Sequence, residues 1–322
     1  MTSPSAQPVP ADLISRLDDG DAEVRRIAVM ELPYSDEDDI LPLLIKAAGD
    51  TDALVRAEAA KGLEGFEEPE AVKALLPLLR DQNEETRRAA ADTLSELKDD
   101  ANGSLLLEWV SDGDAFVQAA AFRSLRALRV PGALAPALVA LEHPQASVRR
   151  EATGVLGYLR NPGSLGPLTR VAMNDPDPEV RRIAVGALGF ATDVDVLPAL
   201  AHALSDTSWQ VREEAAGTAG KLKLSGAVEQ LIKTMGDSYW QVRVRAARSL
   251  GRLKDSAALP VLFAALTHEM SNLRKEAAIA LGEIGDPKAI PALEEALKDP
   301  DPDVRKLTQL ALKHIGAAAA RS

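Results

Sequence analysis

The sequence predicts an all-α protein, an α-solenoid (α/α superhelix) of about ten 31-residue helix-turn-helix repeats. Three observations carry this. An anchor pair, typically Val-Arg, recurs at a fixed interval. An apolar stripe follows each anchor at helical spacing. No segment alternates with the period of two that a strand requires.

The anchors are Val24, Val55, Thr86, Val117, Val148, Val180, Val211, Val242, Leu273 and Val304. Every interval is 31 residues except one of 32. Four residues after the anchor stands Ala in nine copies, from Ala28 to Ala277, with Thr308 last. Leu follows at eight, from Leu32 to Leu312, with Ala219 the exception, and a further apolar residue usually comes at eleven. These offsets trace one stripe of a helix, and Ala lets neighbouring helices approach. Asp21, Asp52, Asn83, Asp114, Asp177, Ser208 and Asp301 precede the stripes as N-caps. Pro178 and Pro302 fit the first helical position. A shorter apolar segment, such as Leu41–Ile45 or Leu197–Leu200, supplies the first helix of each unit. The expected layout is a flexible tail at 1–10, one continuous repeat domain over 11–316 and a short tail at 317–322.

Composition narrows function. Cys is absent, which excludes disulfides, thiolate metal sites and Cys nucleophiles, and only four His are present. Aromatic residues are 3% of the chain, few for a base-stacking platform, and the net charge of −12 opposes phosphate-backbone binding. The acidic excess lies in the first half. Residues 1–160 hold 29 acidic and 17 basic side chains, and residues 161–322 hold 20 of each. Runs such as Asp36–Asp39 and Glu67-Glu68 concentrate it. The start shows no secretory pattern and no apolar run is long enough for a membrane helix, so a cytoplasmic protein is expected.

The runs at Asp175–Gly189 (DPDPEVRRIAVGALG) and Asp299–Arg305 (DPDPDVR) resemble HEAT-like repeats of the phycobilisome-lyase type, the bilin lyase E/F-type family, over nearly the whole chain. The resemblance implies a HEAT solenoid. Its relatives include bilin lyase subunits, iron-dependent deoxyhypusine hydroxylases, DNA-repair glycosylases and adaptors. The hydroxylase activity calls for several His-Glu dipeptides, and this chain has one, His268-Glu269. The glycosylase activity calls for a basic row. The one formed by Arg26, Arg88, Arg150, Arg182, Lys275 and Lys306 is interrupted by Ala57, Ala119, Glu213 and Val244.

An Asp and an Arg six residues apart recur as Asp19/Arg25, Asp50/Arg56, Asp81/Arg87, Asp175/Arg181, Asp206/Arg212, Asp237/Arg243 and Asp299/Arg305. Such repetition indicates a structural ladder along the turns, since a catalytic site occurs once. His143 and His268 replace the Asp, and Gln118 replaces the Arg. No catalytic residue, metal site or cofactor is expected.

The scarce aromatics mark candidate binding residues. Trp209 and Trp240 share one slot in adjacent repeats, with Tyr239 beside the second, forming an aromatic ridge. Tyr158 and Phe190 share another slot, and with Gly154, Gly186 and Gly217 they would edge a smooth trough. Arg150 and Arg182 could meet a propionate there if the chain handled a tetrapyrrole. Gly157, Gly189 and Gly220 read as routine, and Trp109 as core filling. The function expected is a non-catalytic protein-interaction scaffold, adaptor or chaperone-like protein that docks a protein or peptide on its concave face. The alternatives are a lyase-like subunit handling a bilin and, more remotely, a deoxyhypusine hydroxylase-like oxidoreductase. A basic partner region would suit the acidic half, with no nucleic acid and no membrane involved.

Overall fold

The computed structural model describes residues 11–34, 40–192 and 194–319. The expected tail at 1–10 and the acidic run Asp36–Asp39 lie outside them. Among the described residues all regular structure is helical, with ten helix pairs. The residues divide into two compact units, one ending at Leu159 and the other starting at Arg160.

The first unit pairs α1 (Ala11–Arg16) with α2 (Ala22–Glu31), α3 (Leu41–Ala47) with α4 (Ala53–Gly62), and α5 (Pro69–Leu75) with α6 (Glu84–Ser95). It continues with α7 (Gly103–Leu107) and α8 (Ala115–Leu128), then α9 (Leu134–Ala140) and α10 (Ala146–Leu159). The second unit pairs α11 (Leu165–Asn174) with α12 (Pro178–Ala187), α13 (Leu197–Ala203) with α14 (Trp209–Lys221), and α15 (Val228–Thr234) with α16 (Trp240–Leu253). Its last pairs are α17 (Leu259–Leu266) with α18 (Ser271–Ile284), and α19 (Ile290–Ala296) with α20 (Pro302–Ala319). The last helix reaches Ala319, beyond the expected end of the domain at 316.

Within each unit every second helix packs on the next, as α2 on α4 and α14 on α16, while its own first helix covers its flank. The periodic stripe is the contact surface. Ala28, Ala59, Ala90, Ala121, Ala184, Ala215 and Ala246 are fully buried, and so are Leu32, Leu63, Leu94, Leu125, Leu188 and Leu250. No helix could bury this stripe alone, so the core exists only between repeats.

The glycines reverse the expectation. At Gly220, Gly251 and Gly282, nine residues after their anchors, an added Cβ would lie 2.8 Å from Ser249 Cα, 2.7 Å from Ala280 Cα and 2.9 Å from Ala311 Cα. At these three positions of the routine slot successive second helices nearly touch, whereas at Gly189, in the same slot, a Cβ would meet only the end of the Lys221 side chain, at 3.0 Å. At Gly154, Gly186 and Gly217 a Cβ would meet only the flexible ends of Arg126, Glu214 and Arg245, at 3.0, 2.9 and 3.2 Å. The unusual glycines thus make room for charged side chains crossing from the adjacent repeat.

The helix starts divide into two kinds. The side chains of Asp21, Asp52, Asn83, Asp114 and Asp177 accept from first-turn amides, and Asp301 takes the Asp303 N–H at 2.8 Å. α14, α16 and α18 have no such bond. Ser208, expected as a cap, has its hydroxyl 2.7 Å from Gln210 Oε1 and donates there instead. The N-cap positions of the next two helices hold Tyr239 and Met270.

Candidate functional site

The ladder runs along the turns between the two helices of each repeat. Its arginines grip in two directions. Nη1 reaches back six residues to a turn carbonyl, as from Arg56 to Asp50 and from Arg212 to Asp206, both at 2.8 Å. Nε and Nη2 reach forward to the carboxylate of the next repeat. Those pairs are Arg25–Asp50, Arg56–Asp81, Arg181–Asp206, Arg212–Asp237 and Arg274–Asp299, all with bonds of 2.6–2.9 Å. The ion pair is therefore 25 residues apart, while the spacing of six belongs to the carbonyl bond. Each carboxylate also accepts the amide two residues ahead, as Asp175 does from Asp177 and Asp237 from Tyr239, both at 2.9 Å.

These bonds set the charge states. The Arg25, Arg56 and Arg274 guanidiniums hold Asp50, Asp81 and Asp299 below the usual carboxylate range. At Asp206 and Asp237 burial pushes upward, but the bonds from Arg181 and Arg212 and from the turn amides prevail, so both are lowered. The arginines of these pairs are raised correspondingly, chiefly by the same bonds.

Three arginines make only the backward bond. Arg305, in the last repeat, donates to Asp299 O at 2.7 Å. Arg87 donates to Asp81 O at 3.2 Å, but the carboxylate ahead of it, Asp112, is held by Arg80. Arg243 donates to Asp237 O at 2.8 Å, and His268 occupies the slot 25 residues ahead where its siblings have Asp. The Nε atoms of Arg87 and Arg243 are buried and have no hydrogen-bond partner. His143 and His268 keep the turn role alone, their Nδ1 accepting from Gln145 N at 3.1 Å and Met270 N at 3.0 Å.

The aromatic ridge lies beside this ladder. Trp209, half-buried, stacks on Tyr239 of the next repeat with centroids 5.3 Å apart and planes 15° apart. The Arg212 guanidinium stands 5.8 Å from the same Tyr239 ring. Tyr239 and Trp240 remain 45% and 42% exposed. In the first unit Tyr158 is exposed, with Arg126 and Arg129 about its ring at 5.9 and 6.0 Å. In the second unit Phe190 is half-buried and ends a 3-10 turn, not an α-helix. Arg150 pairs with Glu151 at 3.1 Å, and Arg182 with Glu179 at 2.6 Å and Glu214 at 3.7 Å. Trp109, expected in the core, is half-buried with the Arg80 guanidinium 4.8 Å from its ring.

A groove of about 720 Å³ opens over α4, α6 and α8 in the first unit. Its carboxylates are Glu64, Glu84, Glu85, Asp92 and Glu96, and its cations are Lys61, Arg88 and Arg123. Lys61 pairs with Glu85, Arg88 with Glu84 and Arg123 with Asp92. The groove is left with a net negative charge, carried by Glu64 and Glu96. Among the described residues no cluster of three or more His, Asp or Glu side chains could hold a metal ion. Nor is any described helix long and apolar enough to cross a membrane.

No curated protein matches the sequence. Among solved structures, an engineered protein is 22% identical with a TM-score of 0.55, covering 95% of this chain and 98% of that one. A chain from the structure describing Kap95p binding to RanGDP is 14% identical with a TM-score of 0.64, covering 94% of this chain and 49% of that one. Importin beta is 15% identical with a TM-score of 0.59, covering 94% and 50%. This chain thus spans about half the length of those two, and the likeness is one of fold. The family model for HEAT repeats matches residues 10–81, 47–126, 134–220, 167–239 and 228–313. With those matches laid over the observed helix pairs, the chain belongs to the HEAT-repeat family.

Proposed function

We propose that this protein is a non-catalytic scaffold or adaptor, chaperone-like in holding a protein or peptide segment, and that the ridge of Trp209, Tyr239 and Trp240 is its main contact. One observation carries the reading. At the start of α16 a tyrosine stands where most repeats keep an Asp or Asn cap, and it is 45% exposed. An N-cap is worth about 1 kcal/mol. A sequence that forgoes it to expose aromatic surface breaks a local rule, and such breaks belong at functional sites. Tyr and Trp are also the side chains that most often dominate binding energy at interfaces.

The partner's basic region would face the acidic first unit, where Glu64 and Glu96 lack a cation. Tyr158 and Phe190 are secondary contacts in this reading. It carries with it a cytoplasmic setting and no cofactor, nucleic acid or membrane. The bilin-handling role of phycobilisome-lyase-type relatives ranks behind it, because Arg150 and Arg182 are already paired with glutamates. An absorbance scan with added bilin checks that alternative, and a shifted spectrum would promote it.

The main test is affinity capture from the source cell, read by mass spectrometry. The expected result is a partner retained by the wild type and lost from Trp209→Ala/Trp240→Ala, with the helical circular dichroism unchanged. A partner that survives both this change and Tyr158→Ala/Phe190→Ala overturns the reading.

A further inference from the structure

Two ladder slots hold His in place of Asp, but His143 follows Gln118, whereas His268 follows an arginine, Arg243. Arg243 is fixed in the pose of its siblings, because its Nη1 donates to Asp237 O at 2.8 Å just as Arg212 Nη1 donates to Asp206 O. In the sibling rung Nε and Nη2 of Arg212 meet Asp237 at 2.6 and 2.9 Å. At Arg243 the Nε is buried and bonded to nothing. The cause is the chemistry of His268. Its Nδ1 accepts the Met270 amide at 3.0 Å, so the neutral ring carries its proton on the other nitrogen. That nitrogen is a donor and cannot satisfy a guanidinium. A buried charged donor left in this way calls for a physical explanation.

One neighbour favours a docked segment at this place. Trp240, exposed on the ridge, lies three residues before Arg243 on α16 and so shares its helix face. The other incomplete rungs differ. Asp112 is present ahead of Arg87 but held by Arg80, and the position 25 residues after Arg305 lies outside the given sequence.

We propose that Arg243 receives one carboxylate, supplied by an Asp or Glu side chain of the docked protein segment, which completes the rung that His268 leaves open. This rests on the ridge reading and names the chemistry of its anchor. The carboxylate takes Nε and Nη2 side-on while His268 turns aside, giving up its single bond to the Met270 amide. The apolar neighbour of that acid in the partner lies on Trp240. The partner is thus an acidic-aliphatic motif at this edge, distinct from the basic stretch suited to the first unit.

The test uses the full chain labelled with ¹⁵N-arginine, and acetate stands in for the side-chain carboxylate. Sodium acetate is titrated against sodium chloride at equal ionic strength while the arginine Nε–H signals are followed. Arg243→Gln identifies the Arg243 signal by its loss. The expected result is a saturable, acetate-specific shift of that signal towards those of Arg212 and Arg274, with Arg87 unmoved. In His268→Asp the signal should already lie with the closed rungs and ignore acetate. If the wild-type Arg243 signal follows acetate no more than chloride, the proposal fails whether or not the variant folds. It also fails if a folded His268→Asp protein responds as the wild type does. No partner enters this measurement, so its failure leaves ridge-dependent capture standing, and loss of capture leaves the rung result standing.

Discussion

Filling the two classes of glycine should move stability in opposite directions. In Gly282→Ala the new Cβ would lie 2.8 Å from Ala311 Cβ and 2.9 Å from Ala311 Cα. Both atoms belong to a packed helix and cannot step aside, so α18 and α20 must separate by about half an ångström. Overpacking of this kind costs about 1–3 kcal/mol. Replacing a helical Gly by Ala returns roughly 1 kcal/mol. A net loss of about 1 kcal/mol follows, and Gly251→Ala should match it because Ala280 Cα is 2.7 Å away. In Gly217→Ala the obstacle is Arg245 Cδ at 3.2 Å, the end of a flexible chain. Moving it risks the Arg245–Glu213 pair, an exposed contact worth about 0.5 kcal/mol. The same propensity gain of roughly 1 kcal/mol then leaves this variant more stable than wild type. Urea unfolding followed by circular dichroism gives the midpoints, and hydrogen exchange in α18 and α20 localises the loss. A Gly282→Ala protein as stable as the wild type, or a Gly217→Ala protein as weakened as Gly282→Ala, would refute the packing argument.

Three further outcomes follow from the ladder and the caps. Asp206→Ala strands Arg181 and the Ser208 amide, and should cost about 3 kcal/mol in urea unfolding, near the figure for breaking a buried pair. Asp50, Asp81 and Asp299 have depressed pKa values when folded, so the unfolded chain takes up protons first as pH falls. The melting temperature should therefore be flat above about pH 5 and fall below about pH 4, the ordinary carboxylate range. Asp301, pulled down to about 2 by Lys275 and the Asp303 amide, should extend that fall to the lowest pH. An acid limb no shallower in Asp81→Asn than in wild type would disprove the assignment. Ser208→Asp restores a cap on α14 and should raise stability by about 0.5–1 kcal/mol by the same melts.

The architecture was legible because each repeat restates it. The 31-residue period and the stripe were ten partial copies of one message, and each occupies its helix in the structure, while of the seven expected caps all but Ser208 accept a first-turn amide. The partners across repeats were harder to read. The Arg-to-Asp spacing of six and the true pairing distance of 25 are both constant when the period is 31, so sequence alone does not separate them. Rarity also misled at the glycines. Gly217 looked significant because its slot usually holds other residues, whereas Gly282 looked routine because glycine recurs in its slot. The ridge showed as two tryptophans in register. That Trp209 would turn onto Tyr239 while Trp240 stays open depended on stacking geometry, which no spacing encodes. The idle Nε of Arg243 had a visible signal in His268, but only once the forward grip of the arginines was known.

That forward grip bears on how the chain matures at the ribosome. Each ladder arginine is set in place by a bond to a carbonyl six residues earlier, already synthesised when the arginine emerges. Its carboxylate arrives 25 residues later. A nascent chain that ends after one of these rungs therefore presents a guanidinium already bonded backwards, with its forward carboxylate still to come. A product cut short after Arg56, Arg181 or Arg212 would end on an arginine without its forward carboxylate.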